Sequence, residues 1–293
     1  MFPRTFDYFS PKTLAETMDL LDDSTSETKI LSGGQSLLPA MKMRNISPKK
    51  VVDIGNLKEL NFLSKTESML TIGATITTGT LENDLEIACL MPALQETAAE
   101  IADPLVRNLG TVGGNLCYAD PVNDMPTTML SLNAYFLLAS NAGKRMVSAD
   151  EFFLDSFKTA LKTNEMLTEI QIPFEEGKVG SAFRKIKKGS GGFTIAGVAA
   201  QVSIVEDTSV SACRIALGGV GPCVFRAKKA ETELMGKMAE APVLAEVAAL
   251  AVEASKPISD LTASENYRRK VLGILVKEAV ELAYKRAVMG GYE

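Results

Sequence analysis

Apolar positions along the chain switch between helical and strand spacing, and the switches outline its elements. Leu14, Met18 and Leu21 recur at helical intervals behind Ser10-Pro11, a capping serine followed by a proline at the first helical position, and predict a helix over about residues 11–22. Lys29 to Ser32 reads as a short strand running into Gly33-Gly34, Leu37 to Met43 as a helical turn behind that loop, and Lys50 to Ile54 as the next strand. The order strand, helix, strand, glycine loop, strand makes a small α/β unit.

Phe62 to Ser64 and Met69 to Gly73 flank Lys65-Thr66-Glu67-Ser68 as a hairpin. Thr78 to Asn83, Pro92 to Ile101 and Met125 to Leu132 read as helices, and Tyr135 to Ala139, Arg145 to Val147 and Met166 to Ile172 as strands. Ser148-Ala149-Asp150-Glu151 fits a capping box ahead of Phe152 and Phe153. The charged, glycine-bearing Glu175-Glu176-Gly177-Lys178 after Pro173 predicts a boundary between residues 1–176 (parts of about 1–56 and 57–176) and 177–293. Beyond it Ala182 to Ile186, Val198 to Val205 and Ser211 to Leu217 read as one antiparallel sheet, followed by helices over Ala227 to Leu234 and Val243 to Ala254. Thr262-Ala263-Ser264-Glu265 reads as a capping box opening a last long helix. Strands followed by helices predict an α+β fold.

Composition narrows the function. With 46% hydrophobic and 23% charged residues the 293-residue chain is an ordinary globular protein. A net charge of −5 provides no basic field for nucleic acid. No apolar run approaches a signal peptide or a membrane span, so a cytoplasmic protein is expected. Cys89, Cys117, Cys213 and Cys223 form no C-x-x-C pair and read as small buried hydrophobes. The absence of histidine removes Ser-His-Asp and Cys-His nucleophile systems, H-E-x-x-H zinc sites and flavin attachment through histidine. Redox or group-transfer chemistry in this chain therefore falls to a bound cofactor.

Two glycine segments carry the candidate chemistry. Arg107 to Pro126 packs Gly110, Gly113 and Gly114 beside Thr111 and Asn115, with Asp120 and Asp124 behind them, and Gly33-Gly34-Gln35-Ser36 has the same character upstream. Glycine lets backbone N–H groups approach a ligand, and hydroxyl and amide side chains add donors for anionic oxygens. The upstream segment taken alone reads as a turn in preference to a ligand site, and the two aspartates read alternatively as helix caps. Neither segment matches the Rossmann or P-loop spacing, nor do Gly189, Gly191, Gly192 and Gly197, where Thr194 stands in the third glycine's place. The basic runs Arg184, Lys185, Lys187, Lys188 and Tyr267-Arg268-Arg269-Lys270 read as solvated faces, the first alternatively as a docking or flavin-proximal surface.

Gly33-Gly34-Gln35-Ser36-Leu37-Leu38-Pro39, Val106 to Leu116 and Ala119-Asp120-Pro121 through Asp124-Met125-Pro126 together resemble the FAD-binding medium subunit of molybdenum hydroxylases, particularly the carbon monoxide dehydrogenase flavoprotein type, homologous to the flavin domain of xanthine dehydrogenase. The resemblance covers almost the whole chain. It implies a two-part FAD-binding domain of the p-cresol methylhydroxylase (vanillyl-alcohol oxidase) type followed by an α+β C-terminal lobe. It assigns the FAD pyrophosphate to Ser32, Gly33, Gly34, Gln35, Ser36 and Leu37 on one side and Gly110, Thr111, Val112, Gly113, Gly114 and Asn115 on the other, through backbone N–H groups and hydroxyls. Asp124, and more weakly Asp120, would contact FAD; Met166 or Leu167 would line the flavin; Arg184 stands where a homologue carries a flavin-contacting lysine. Gln35 replaces a histidine of many members, and Phe193 falls near a tyrosine that lies against the isoalloxazine. A cysteine-rich insertion that holds an iron-sulfur cluster in one branch is missing.

The implied function is electron transfer. A molybdenum-pterin large subunit would hydroxylate substrate, an iron-sulfur small subunit would relay electrons, and FAD here would pass them to an external acceptor, within a dimer of heterotrimers. A self-contained FAD-dependent reductase or oxidase on the same fold, and a binding or assembly module that has lost FAD, are the alternatives.

Overall fold

A computed structural model describes residues 2–22, 27–189 and 191–290. The N-terminal unit runs β1 (Asp7–Phe9), α1 (Leu14–Asp22), β2 (Thr28–Leu31), α2 (Leu37–Lys42) and β3 (Lys50–Asp53). Its strands lie in the order β1-β3-β2, with both pairings parallel. Helix α1 begins later than its proline suggests: the Thr13 hydroxyl accepts the Glu16 N–H at 3.1 Å, so Thr13 rather than Ser10 caps it. Met18 and Leu21 then pack against Val52, Ile54, Leu57 and Leu60.

The middle of the chain is a five-stranded antiparallel sheet with helices inserted between its second and third sequential strands. In order it runs β4 (Leu63–Lys65), β5 (Met69–Gly73), α3 (Thr78–Glu82), α4 (Leu85–Leu90), α5 (Pro92–Glu100), α6 (Pro104–Leu109), α7 (Val112–Tyr118), α8 (Asp124–Ser131), β6 (Tyr135–Ser140), β7 (Gly143–Ser148), α9 (Ala149–Phe152), the small hairpin β8 (Phe153–Asp155) and β9 (Lys158–Thr159), and β10 (Met166–Pro173). The strand order is β4-β5-β10-β6-β7. Helices α4, α6 and α7 lack a long apolar period and are defined by their caps: Asp84 accepts the Ile87 N–H, Asp103 those of Leu105 and Val106, and Thr111 that of Gly114. At α9 the Ser148 hydroxyl bonds the Glu151 carboxylate at 2.9 Å instead of capping the backbone.

The last part runs β11 (Lys178–Lys187), β12 (Thr194–Ile204), β13 (Val210–Gly218), β14 (Phe225–Arg226), α10 (Lys228–Leu234), α11 (Ala241–Ala254) and α12 (Glu265–Met289). Its antiparallel sheet keeps sequence order, which leaves β11 at an edge. One face packs Ala182, Val198, Val202 and Ile215 against Val247, Leu272, Val276 and Val280. Each fully buried valine, leucine or isoleucine among them contributes about 1.5–3 kcal/mol. Ser264 caps α12 by accepting the Tyr267 N–H at 3.2 Å, so the cap lies two residues beyond Thr262.

The other face and edge of this sheet meet α5 and α8, through a small apolar cluster of Ala93, Phe183 and Ala199 and a set of ion pairs. Lys185 reaches Asp124 at 2.6 Å, Lys187 reaches Glu100 at 2.6 Å, and Glu96 accepts from Arg184 at 3.3 Å and Arg286 at 2.7 Å. Glu96 also accepts the Phe183 N–H of the edge strand at 2.8 Å. The basic run of β11 is therefore a seam between the two parts of the molecule, not a solvated face. Arg268, likewise read as exposed, is buried and donates to the Ile195 and Gly219 carbonyls and to Asp260. Of the cysteines, Cys213 is buried, whereas Cys89 is exposed on α4, contrary to its expected burial.

Candidate functional site: two glycine segments in contact

The segments after β2 and before α7 meet directly. A Cβ on Gly33 would lie 1.9 Å from the Leu109 carbonyl oxygen and 2.9 Å from Gly110 Cα, so only glycine permits this approach. The Thr111 hydroxyl donates to the Ser32 hydroxyl at 3.0 Å across the junction. Gly34 supplies the turn with φ of +71°. Thr78 braces the far side, its N–H donating to the Gly110 carbonyl at 2.9 Å. Thr78 was not among the candidate residues, because a threonine opening a helix carries no local mark of the carbonyl it will meet.

Donor accounting separates the two walls. In the second, Val112 N–H donates to Ile76 O, Gly113 N–H to Ala74 O, Gly114 N–H to the Thr111 hydroxyl and Asn115 N–H to Thr111 O. Those backbone donors are engaged by the fold, as is the Thr111 proton, which lies on Ser32, so this wall acts through that hydroxyl pair and the Asn115 side chain. In the first, the N–H groups of Gly33, Gly34, Gln35 and Ser36 meet no acceptor among the described residues. Gln35 turns its amide back onto the Gly33 carbonyl at 3.1 Å, and Leu37 opens α2. The Asn115 side-chain oxygen is buried without a partner, an acceptor for a ligand hydroxyl or N–H.

The three downstream glycines also differ. A Cβ on Gly113 would meet Ala74 O at 2.6 Å and Ala74 Cβ at 2.8 Å, so Gly113 serves packing. One on Gly110 would meet Val106 O at 2.9 Å. Gly114 is exposed, and a Cβ there would meet only the Thr111 hydroxyl, at 2.8 Å.

The remaining candidates lie apart from this junction. Asp120 follows the far end of α7, accepts the Val122 N–H at 3.1 Å and borders a shallow cleft with Phe153, Asp155 and Cys223; burial raises its carboxyl above the usual range against the pull of that N–H. Asp124 opens α8 after Asn123, whose side chain donates to the Asn115 carbonyl, and is buried, with one oxygen on Lys185 and the other accepting the Thr194 hydroxyl at 2.5 Å. Burial raises its carboxyl, and Lys185 and Thr194 oppose the shift. Met166 and Leu167 on β10 are core residues, the first in the α1–β3 core and the second in the central one. Arg184 pairs with Glu96, and with Lys185, Gln95 and Glu100 it borders a cavity of about 240 Å³ between α5 and β11. Phe193 is 70% exposed on the β11–β12 connection, whose Gly191 lies beside Ala102.

Fold and site together define a two-part FAD-binding protein, and comparison with known proteins agrees. The family described as FAD binding domain in molybdopterin dehydrogenase matches residues 4–175, and that described as CO dehydrogenase flavoprotein C-terminal domain matches residues 181–283. The chain belongs to this family of FAD-binding medium chains, is an oxidoreductase subunit and takes FAD as its cofactor. It is 36% identical to the carbon monoxide dehydrogenase medium chain of Hydrogenophaga pseudoflava over 98% of its own length and 99% of that protein's. It is 33% identical to the glyceraldehyde dehydrogenase medium chain of Sulfolobus acidocaldarius, covering 95% and 98% of the two chains. Among solved structures, a chain of carbon monoxide dehydrogenase from Hydrogenophaga pseudoflava superposes with a TM-score of 0.94 at 36% identity, over 98% of this chain and 99% of that one.

The residues fit FAD. The open N–H groups of the first wall and the Ser32 hydroxyl, held by the Thr111 hydroxyl, suit phosphate oxygens, the space before Gly114 is unfilled by any side chain but Thr111, and the orphaned Asn115 oxygen suits a donor.

Proposed function

We propose that this chain is the electron-transferring FAD subunit of a cytoplasmic, multi-subunit molybdenum hydroxylase. An iron-sulfur small subunit and a molybdenum-pterin large subunit accompany it, as a dimer of heterotrimers, and substrate is hydroxylated on the large subunit. Residues 1–176 hold the cofactor and 177–293 form the lobe closed over it. FAD, when bound, supplies two-electron storage with single-electron exchange. The chain's own residues then bind and position: Ser32 to Ser36 and Thr111 to Asn115 hold the pyrophosphate, and Phe193 and Arg184 belong to the flavin end. No acid or base from the chain is needed for electrons to leave toward an external acceptor.

The observation that carries this reading is end-to-end similarity to a protein named as a medium chain, beside the direct contact of the two glycine walls in this chain. No helix among the described residues is long and apolar enough to cross a membrane. The test is affinity purification of the tagged chain from its native cells, with metal analysis of the eluate. Two further polypeptides carrying molybdenum and iron are expected. A single, fully active species without either metal would refute the subunit reading in favour of a self-contained flavoenzyme.

A further inference from the structure

Arg107 is charged but only 8% exposed, and the FAD reading gives it no task. Each of its three nitrogens donates a hydrogen bond. Nε donates to Glu82 Oε2 at 2.7 Å, Nη2 to Glu82 Oε1 at 2.9 Å, and Nη1 to the Ile101 carbonyl at 3.0 Å. A bidentate fork fixes distance and plane together, which a lysine ammonium does not. The side chain thus ties α6 to α3, through Glu82, and to the end of α5, through Ile101.

Helix α6 has little else to seat it. Arg107 is its one buried residue, while Leu105 and Leu109 are 78% and 59% exposed. The Arg107 carbonyl faces α3 as well, accepting the Thr78 hydroxyl at 3.2 Å, and a Cβ on Gly79 would lie 3.2 Å from it. Two residues further on, the Leu109 carbonyl is the surface against which Gly33 rests. The position of α6 therefore sets how far the first glycine wall stands from the second.

We propose that Arg107 and Glu82 are positioning residues for the FAD site: their fork seats α6 and so fixes the separation of the two glycine segments without touching the cofactor. The proposal rests on the reading that those segments hold the FAD pyrophosphate. A ligand held from both sides loses contacts when one wall moves, and a displacement near 1 Å is enough to matter.

The test uses the full chain, purified with the subunits that accompany it, and measures FAD affinity at a temperature where each variant is folded. Arg107→Met should weaken FAD binding about tenfold or more, and Glu82→Gln, which keeps one acceptor oxygen, by a smaller factor of about three to ten. The double variant Glu82→Met/Arg107→Met separates position from stability. Removing both partners leaves no stranded charge, so its melting temperature should recover toward wild type while FAD binding stays about tenfold weak. Recovery of wild-type FAD affinity along with stability would overturn the proposal, as would binding by folded Arg107→Met within about twofold of wild type. If Arg107→Met does not fold, Glu82→Gln decides, and an unchanged affinity overturns it. Gly114→Val in the same assay distinguishes the two levels. If it binds FAD normally the cradle itself is misplaced; if it alone loses FAD, the role of the fork is refuted.

Discussion

Alanine at Gly113 and alanine at Gly114 differ by one position and should fail in opposite ways. At Gly113 the new Cβ would stand 2.6, 2.8 and 3.1 Å from Ala74 O, Cβ and Cα. To reach ordinary contact α7 must withdraw from the corner after β5 by roughly 0.8 Å, stretching the 3.0 Å bond from Gly113 N–H to Ala74 O. Overpacking against backbone costs about 1–3 kcal/mol, and the better helix propensity of alanine returns up to about 1 kcal/mol. A net loss of about 1–2 kcal/mol lowers the melting temperature by roughly 2–8 °C at this chain length. At Gly114 the Cβ displaces only the Thr111 hydroxyl. The lost cap, about 1 kcal/mol, is offset by the same propensity gain, so melting should stay within about 2 °C of wild type. FAD affinity should nevertheless fall, because the methyl group enters the open side and turns Thr111 away. Gly114→Val should abolish flavin binding in a chain that still folds. Scanning calorimetry of the FAD-free protein with FAD titration measures both quantities. Wild-type melting of Gly113→Ala, or a larger stability loss at Gly114 than at Gly113, would refute this division of roles.

Further outcomes can be checked separately. Lys185→Met strands the buried Asp124 carboxylate and should cost about 3–5 kcal/mol in urea unfolding, most of it recovered in Lys185→Met/Asp124→Asn. Glu165 is held below its ordinary value of 4.5 by the Arg145 guanidinium, so its stabilisation is complete above that value and disappears as pH falls through the depressed one. The melting-temperature gap between wild type and Arg145→Met should accordingly be widest near neutral pH and narrow as pH falls below the ordinary glutamate value; a gap that widens in acid contradicts the assignment. Iodoacetamide at about pH 8 should label exposed Cys89 in the native protein and spare Cys117, whose thiol burial pushes up to about 12, as peptide mass spectrometry would show.

The sequence was most legible where chemistry and backbone coincide. The glycine-bearing segments Gly33-Gly34 and Gly110-Thr111 stood out as partners, and their contact through Gly33 and Leu109 is what a missing Cβ allows. The alternating strand β10, the nearly continuous apolar run of β12 and the long α12 were equally plain. Helix α7 was hidden because Gly113 and Gly114 are poor helix formers, and a hydroxyl cap with backbone bonds to Ala74 and Ile76 overrides that propensity. The caps at Thr13 and Ser264 lay two or three residues from equally plausible ones, a choice made by where the apolar face meets the core. Long-range partners leave no local trace: Asp124 meets residues 61 and 70 positions away, and Arg107 meets Glu82 25 positions away. Charge runs therefore read as solvated when they are interior.

The most direct measurement is an experimental structure of the purified protein with FAD bound. The account predicts pyrophosphate oxygens within hydrogen-bonding distance of both walls, the N–H groups of Gly33 to Ser36 on one side and the Ser32–Thr111 hydroxyl pair at the junction with the other. A pyrophosphate resting on one segment alone, or outside the junction of Gly33 with Gly110, would contradict it.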